Sequence, residues 1–244
     1  MKFDKRLVLV TGGTAGIGRE LARQLVAKGA RVIITGRDKG RLEDMAALSP
    51  NIITYRSDFS VAGDVDRLVA NIAQVHLDLS LVINNAGVQA EMKLTDGSAR
   101  LDEIRRELAI NFDAVIAVTI GLLPVIAARG GGAIVNISSG LGVVPKAASP
   151  VYCAAKAAVR SFTKTMRYQC EDDETGVRMV DVIMTLVDTG MTKGRGRGKT
   201  SPAKAAAAVL RGIAAEGDEI WIGKTKILRV LNRLLPRFAE RVMR

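Results

Sequence analysis

Tyr152 and Lys156 stand four residues apart in the run Val151-Tyr152-Cys153-Ala154-Ala155-Lys156-Ala157-Ala158-Val159. An Ala-rich run of this kind favours helix, and the spacing puts both side chains on one face of its first turns. A phenol titrates near about 10 and is a weak proton donor or base at neutral pH; a neighbouring ammonium favours the phenolate and lowers its pKa toward the working range. Taken alone, such a pair can equally be a solvated feature of a helix surface. Two further groups bear on the choice. Ser138 and Ser139 end the apolar run Ala133-Ile134-Val135-Asn136-Ile137, and Asn111 is a lone amide in Ala109-Ile110-Asn111-Phe112, where it needs a partner in backbone or water.

The element that would organise these groups is Leu7-Val8-Leu9-Val10-Thr11-Gly12-Gly13-Thr14-Ala15-Gly16-Ile17-Gly18. Its four apolar residues are too few for a helix and read as a buried strand; Leu21, Leu25 and Val26 then recur at helical spacing. The glycines between them form a phosphate cradle, with Gly12 at the turn, Gly16 where backbone meets a pyrophosphate, and Gly18 where helix packs on strand. The helix dipole adds to the attraction for an anion. A glycine turn that only joins strand to helix is the competing reading. Arg31-Val32-Ile33-Ile34-Thr35 completes a β-α-β unit, and its tip holds Gly36 and Arg37 in place of the carboxylate that would bind a ribose 2′-hydroxyl. A guanidinium there suits a 2′-phosphate, so NADP(H) is favoured over NAD(H).

Further strands are read at Asn51–Arg56, Leu79–Ile83, Ala133–Ile137, Gly176–Ile183 and Glu219–Ile222. Asp58 follows the third and can contact a ligand or cap the next helix, near Val61. The fourth ends in Asn84-Asn85-Ala86-Gly87, small residues that leave room for a flat ring or make a simple turn. A helical pattern runs from Asp96 to Arg129 and stops at Gly130-Gly131-Gly132. Lys193-Gly194-Arg195-Gly196-Arg197-Gly198-Lys199 reads as a mobile basic loop within 190–200, a candidate lid over a substrate. Ser201-Pro202 starts a further helix. The tail from Lys224 onward, over 224–243, reads as one amphipathic basic helix, with Ile227, Leu228, Leu231, Leu234, Leu235, Phe238 and Val242 on one side. It is expected to pack on its own core or on another subunit, with an anionic membrane as the other option.

Composition narrows the classes. At 244 residues and 48% hydrophobic the chain can bury one large core, so one domain over 1–244 is expected. No stretch offers an unbroken apolar span or a signal peptide's apolar region, which predicts a cytoplasmic protein. Cys153 and Cys170 have neither a metal nor a redox spacing, and a single His76, read as a helix-terminus residue, leaves no metal site. The net charge of +11 suggests anionic ligands or surfaces, but no aromatic residues interleave the basic loop, so nucleic acid is not expected as a partner.

Thr11-Gly12-x-x-x-Gly16-Ile17-Gly18, Asn84-Asn85-Ala86-Gly87, Asn111, Ser139 and Tyr152-x-x-x-Lys156, in this order over nearly the whole chain, resemble the short-chain dehydrogenase/reductase family. Val187-Asp188-Thr189 and the Gly-Lys-Thr-Lys start of the basic tail at Gly223 look like its DltE-like bacterial oxidoreductase subgroup. The resemblance implies an α/β, single-domain Rossmann-type fold, doubly wound around a seven-stranded parallel sheet in order 3-2-1-4-5-6-7. It implies hydride transfer between a nicotinamide and a carbonyl or secondary alcohol. Tyr152 would be the acid or base, Lys156 would hold the nicotinamide ribose and depress the phenol pKa, Ser139 would bind the reacting oxygen, and Asn111 would anchor a water. Gly12, Thr14, Gly16, Ile17, Gly18, Arg37, Asp58, Asn85, Ala86, Gly87, Val187 and Thr189, with Tyr152 and Lys156, would line the cofactor site. A homodimer or homotetramer formed through the helices around 96–129 and 151–173, and a small carbonyl or alcohol substrate, follow from the same resemblance. Met184-Thr185 replaces the family's usual Pro-containing pair after the sixth strand, which predicts a less rigid segment under the nicotinamide. A different class of function, an NADP(H)-binding scaffold docking through its basic tail, is the alternative.

Overall fold

Leu7, Val8, Leu9 and Val10 are all buried, and alternate members face opposite sides: Val8 and Val10 join one apolar cluster while Leu7 and Leu9 join another. A strand covered on both faces is continuously apolar, which is the pattern of a parallel sheet sandwiched between helices. The computed structural model describes residues 1–243, the Val242 side chain excepted, so the expectations for Val242 and Arg244 lie outside the described residues. Its strands are β1 Leu7–Val10, β2 Arg31–Gly36, β3 Ile52–Arg56, β4 Leu79–Asn84, β5 Gly132–Ser139, β6 Val177–Met184 and β7 Glu219–Trp221. They form one parallel sheet in the order 3-2-1-4-5-6-7.

The helices are α1 Gly16–Val26, α2 Lys39–Ala46, α3 Ala62–Val75, α4 Leu101–Leu108, α5 Ala114–Ala128, α6 Pro150–Asp172, α7 Pro202–Ala214, α8 Thr225–Leu234 and α9 Pro236–Met243. α1, α2 and α7 cover one face with Leu21, Leu25, Met45 and Val209, and α3, α5 and α6 cover the other with Leu68, Ile72, Leu122 and Cys170. The order reverses at β1, which is flanked by β2 and β4, so a crevice opens at the carboxyl ends of β1 and β4.

Several expectations are corrected. The helix expected from Asp96 begins at Leu101, because the Asp96 carboxylate accepts from the Ser98 N–H and hydroxyl and closes a turn around Gly97. It is also not continuous: residues Ala109–Asp113 form one wide π turn between α4 and α5, a local widening often found at functional sites. The run Leu101–Ala128 is apolar and long enough to span a membrane by composition, yet Val118, Leu122 and Ile126 lie against the sheet at zero exposure. Asp58 does not cap α3; its carboxylate accepts from Ser60, and Val61 stands at the cap without a side-chain bond. α2 matches no predicted element, since only Leu42 and Met45 turn inward, too few positions to display a period.

The single tail helix is also corrected. Pro236 has no N–H to continue the ladder and drives Leu235 out of helical geometry, to φ −137 and ψ 63, so α8 and α9 are separate. Only part of the tail's apolar side packs on the chain: Leu228 and Leu231 are half-buried, whereas Ile227, Leu234 and Phe238 are more than half exposed. His76 does end α3, buried, with its Nε2 2.8 Å from the Tyr55 hydroxyl.

Candidate active site

Pro150 sits at the start of α6, where its missing N–H costs nothing and its fixed φ suits the helix. Tyr152 follows in the first turn and Lys156 one turn later, so the end of β5 meets both. Lys156 Nζ donates to the Ile137 carbonyl at 2.9 Å and lies 5.8 Å from the centre of the Tyr152 ring. Ser139 follows two residues after Ile137 in extended chain; its hydroxyl accepts from the Leu141 N–H at 3.1 Å and acts on the Tyr152 phenol, pulling its pKa down. Ser138 points the other way and donates to the Val182 carbonyl. The two serines thus differ in surroundings, and Ser139 is the one that acts on the phenol.

Asn111 lies in the π turn with no exposure. Its Oδ1 accepts from the Val88 N–H at 3.1 Å and its Nδ2 donates to the Val88 carbonyl at 2.8 Å, so the side chain clamps the strand-end loop. A Cβ placed on Gly87 would lie 2.9 Å from Asn111 Oδ1 and 3.7 Å from Lys156 Nζ, which puts amide, ammonium and loop around one spot.

The charges differ from expectation. Burial pushes the Tyr152 phenol up to about 12, against a pull from Ser139; Cys153 and Glu107 add smaller pushes and Arg195 a smaller pull. Burial likewise brings Lys156 down to about 8, partly offset by Asp181. The phenol pKa is therefore raised and not depressed as expected, because loss of solvent dominates its surroundings. At neutral pH the phenol keeps its proton and the lysine its charge.

The glycine loop reaches the same crevice. Gly16 has φ +52, a conformation open to glycine without strain, and a Cβ there would lie 3.1 Å from Thr189 Cγ2. A Cβ on Gly18 would sit 2.2 Å from the Gly12 carbonyl oxygen, so only hydrogen lets α1 approach the loop. α1 begins at Ala15 with no side-chain cap and no acidic residue in its first turn, which leaves its leading N–H groups to an outside anion. Thr11 Oγ1 accepts from the Asn85 and Ala86 N–H groups, and Asn85 Nδ2 donates to the Thr11 carbonyl at 2.9 Å. Asn85 thus braces the loop against β4. A cradle filled by any side chain, an uncapped helix and a basic rim fit a dinucleotide.

That rim lies beyond β2 and β3. An open pocket of about 620 Å³ is lined by Arg37, Arg56, Asp58 and Arg67 among others. Arg56 Nε donates to the Arg37 carbonyl at 3.1 Å, and hydrogen bonds from Ser60 hold the Asp58 carboxyl below its usual range, with a smaller pull from the Arg37 charge. Thr14 is set against Gly36, where a Cβ would lie 2.7 Å from Thr14 Cγ2, and Ile17 packs partly on the core. The Val187 side chain belongs to the core and its carbonyl accepts from Thr192, so it offers the crevice little beyond backbone.

The segment after β6 is not left loose by the missing proline. Thr200 N–H donates to the Leu186 carbonyl at 3.0 Å and Asp188 N–H to the Thr200 carbonyl at 2.9 Å, with Thr189 and Thr192 capping each other. Lys199 Nζ donates to the Thr192 carbonyl and pairs with Asp188, tying down the basic loop as well.

Two residues of the site were missed in the sequence. Glu107 is buried in α4; its Oε1 accepts from the Ala90 N–H, its Oε2 has no partner among the described residues, and burial pushes its carboxyl up. Arg195, in the basic loop, donates to the Gln89 and Met191 carbonyls and acts electrostatically on both Glu107 and Tyr152. The available clue to Glu107 was its position one helical turn before Asn111; nothing singled out Arg195 among the loop's four cations.

The geometry agrees with comparison to known proteins. The short chain dehydrogenase family model matches residues 6–200. An uncharacterized oxidoreductase DltE from Bacillus subtilis is 37% identical over 79% of this chain and 76% of its own. An NADP-dependent 3-hydroxy acid dehydrogenase YdfG from Salmonella typhi is 33% identical over 74% of this chain and 72% of its own. A short chain dehydrogenase from Burkholderia cenocepacia solved in complex with NADP is 25% identical, with a TM-score of 0.88 and full coverage of both chains. The chain thus belongs to the short-chain dehydrogenases/reductases, NAD(P)-dependent oxidoreductases.

Proposed function

We propose that this protein is an NADP(H)-dependent oxidoreductase acting on a carbonyl or secondary alcohol, with Tyr152, Ser139 and Lys156 as its catalytic groups and Asn111 as the residue that holds their surroundings. The observation that carries the reading is the convergence of Ser139, Tyr152 and Lys156 at the end of β5. Gly12, Thr14, Gly16, Ile17, Gly18 and Ala86 would hold the dinucleotide, and Thr189 with Gly87 would border its nicotinamide end.

A bound reduced nicotinamide supplies hydride. The chain supplies the rest. Ser139 donates to the substrate carbonyl oxygen and fixes its position, while Tyr152, which keeps its proton at neutral pH, passes that proton to the oxygen as negative charge gathers there. Lys156 would hold the ribose hydroxyls of a bound dinucleotide, and its positive charge beside the phenol would ease loss of the proton at that moment. In the oxidative direction the same groups act in reverse. Glu107 and Arg195 place opposite charges near enough to act on the phenol.

NADP(H) is favoured over NAD(H) by Arg37, with Arg56 and Arg67 on the same pocket and no carboxylate at the tip of β2. A cytoplasmic site of action accords with two reduced, buried cysteines. A homodimer or homotetramer is supported by α5, apolar nearly all round, whose outward Ile120 is more than half exposed. A panel of ketones and alcohols followed at the nicotinamide absorbance band tests the activity. Failure of every carbonyl and alcohol to change the band in either direction, with NADPH bound, would favour a non-catalytic role.

A further inference from the structure

We propose that the face formed by α8 and α9 docks the protein on an anionic lipid bilayer. Ile227, Val230 and Leu234 are spaced i, i+3 and i+7 along α8 and share one side of it; they are 70%, 57% and 69% exposed. Leu235, at the break, and Phe238, in α9, extend the group at 58% and 54%. Five large apolar side chains in twelve residues, none of them covered, are far from the scattered exposure that ordinary surfaces carry.

The patch is held in place and is not a frayed end. On the opposite side of α8, the Thr225 hydroxyl donates to the Ile183 and Ile222 carbonyls, and Thr225 and Leu228 pack beside Gly140. Ala239 is buried between α9 and the rest of the chain. The anchoring points are the ends of β5 and β6, so the patch lies at the same edge of the sheet as Ser139.

Charge identifies the occupant. Lys226, Arg229 and Arg233 form the flank of α8 next to the apolar side, and Arg237 and Arg241 continue it on α9, with Glu240 as the lone acid of residues 224–243. An amphipathic helix whose apolar side is bordered by Lys and Arg suits the boundary of a negatively charged membrane, where apolar side chains enter the acyl region and cations meet phosphates. A second copy of the chain would bring two such basic rims together, on molecules that each carry +11. A solvated face would not need its apolar residues gathered on one side.

The test is co-sedimentation of the full-length protein with sucrose-loaded vesicles of phosphatidylcholine alone or mixed with phosphatidylglycerol. Binding should require phosphatidylglycerol and fall as salt is raised through the range that screens surface charge. Leu234→Asp with Phe238→Asp should weaken it about tenfold or more, with NADPH binding and Tm kept, and Arg233→Gln with Arg237→Gln, which leaves the apolar side intact, should also weaken it. Should the aspartate pair fail to fold, the glutamine pair decides alone. Equal recovery with and without phosphatidylglycerol, or no recovery, overturns the proposal. So does sedimentation velocity in which the wild type is an oligomer that the aspartate pair dissociates, because a second copy then covers the face. Vesicle binding is read without substrate, so its failure leaves the enzymatic assignment untouched.

Discussion

Lys156 should make the use of NADPH depend on pH in a way that can be worked from its surroundings. The side chain is 4% exposed, its Nζ is bound to the Ile137 carbonyl, and burial brings it from the ordinary value of 10.5 to about 8. That displacement corresponds to a loss of roughly 3 kcal/mol in preference for the ammonium. The group is then about nine-tenths charged at pH 7 and about one-tenth charged at pH 9. If the ammonium holds the ribose and sets up the phenol, kcat/KM for NADPH, which reports groups of the free enzyme, should be level below about pH 8 and fall about tenfold per pH unit above it. Tyr152, pushed up to about 12, does not titrate in this window and cannot produce the fall. The assay is initial rates at limiting NADPH across about pH 6 to 10, with the same series for Lys156→Met, which keeps length and apolar packing but removes the charge. The variant should lose about one to two orders of magnitude at pH 7, the range of a charged hydrogen bond, and show no fall near 8. A wild-type profile that stays level to pH 10, or one unchanged in Lys156→Met, would refute the role given to the ammonium.

Tyr152→Phe removes one oxygen without opening a cavity, so it should cut turnover by about two to four orders of magnitude while fluorescence titration shows NADPH still bound; unchanged turnover rejects Tyr152 as the proton donor. Arg37→Asp should move the ratio of kcat/KM for NADPH over NADH by about tenfold or more toward NADH, and a ratio that stays put removes the 2′-phosphate contact. Gly18→Ala forces a methyl group to within 2.2 Å of the Gly12 carbonyl oxygen, so thermal denaturation should show a loss of about 1–3 kcal/mol together with weaker NADPH binding. Glu107 is an acid whose pKa is raised on folding, so its burial is harmless below the usual carboxylate range and costs stability as pH rises through the raised value. Glu107→Gln should therefore raise Tm more at about pH 8 than at about pH 5; equal changes at both would show that folding does not raise the carboxyl's pKa.

The strand-and-turn grammar of this protein is local, which is why it could be read early. Four apolar residues before Gly12, β-branched residues from Val32 to Thr35, and Pro202 after Ser201 each act on their own backbone, through burial on both faces, steric preference or capping. The same holds for the order of the motifs, and so for the parallel sheet. Where the neighbouring chemistry competes with a period, the local reading slips: an Asx turn at Asp96 shortens α4 and Pro236 divides the tail.

Tyr152 and Lys156 were legible as a pair, and Ser139 as their partner, because a helix and a strand set their own facing. The direction in which the phenol titrates was not, since desolvation depends on everything packed around it and opposes the effect of the one neighbour visible in the chain. Glu107 and Arg195 come to the phenol from segments 45 and 43 residues away in opposite directions, and Thr200 replaces a missing proline by pairing with Leu186 and Asp188 across a loop. Residue types and spacing were enough for the fold and for naming the groups proposed to react, because backbone preference and side-chain periodicity act over a few residues. Burial, ionisation and the open side of α8 emerged only once distant segments had met, because solvent is excluded by the whole assembly of the chain and by no residue alone.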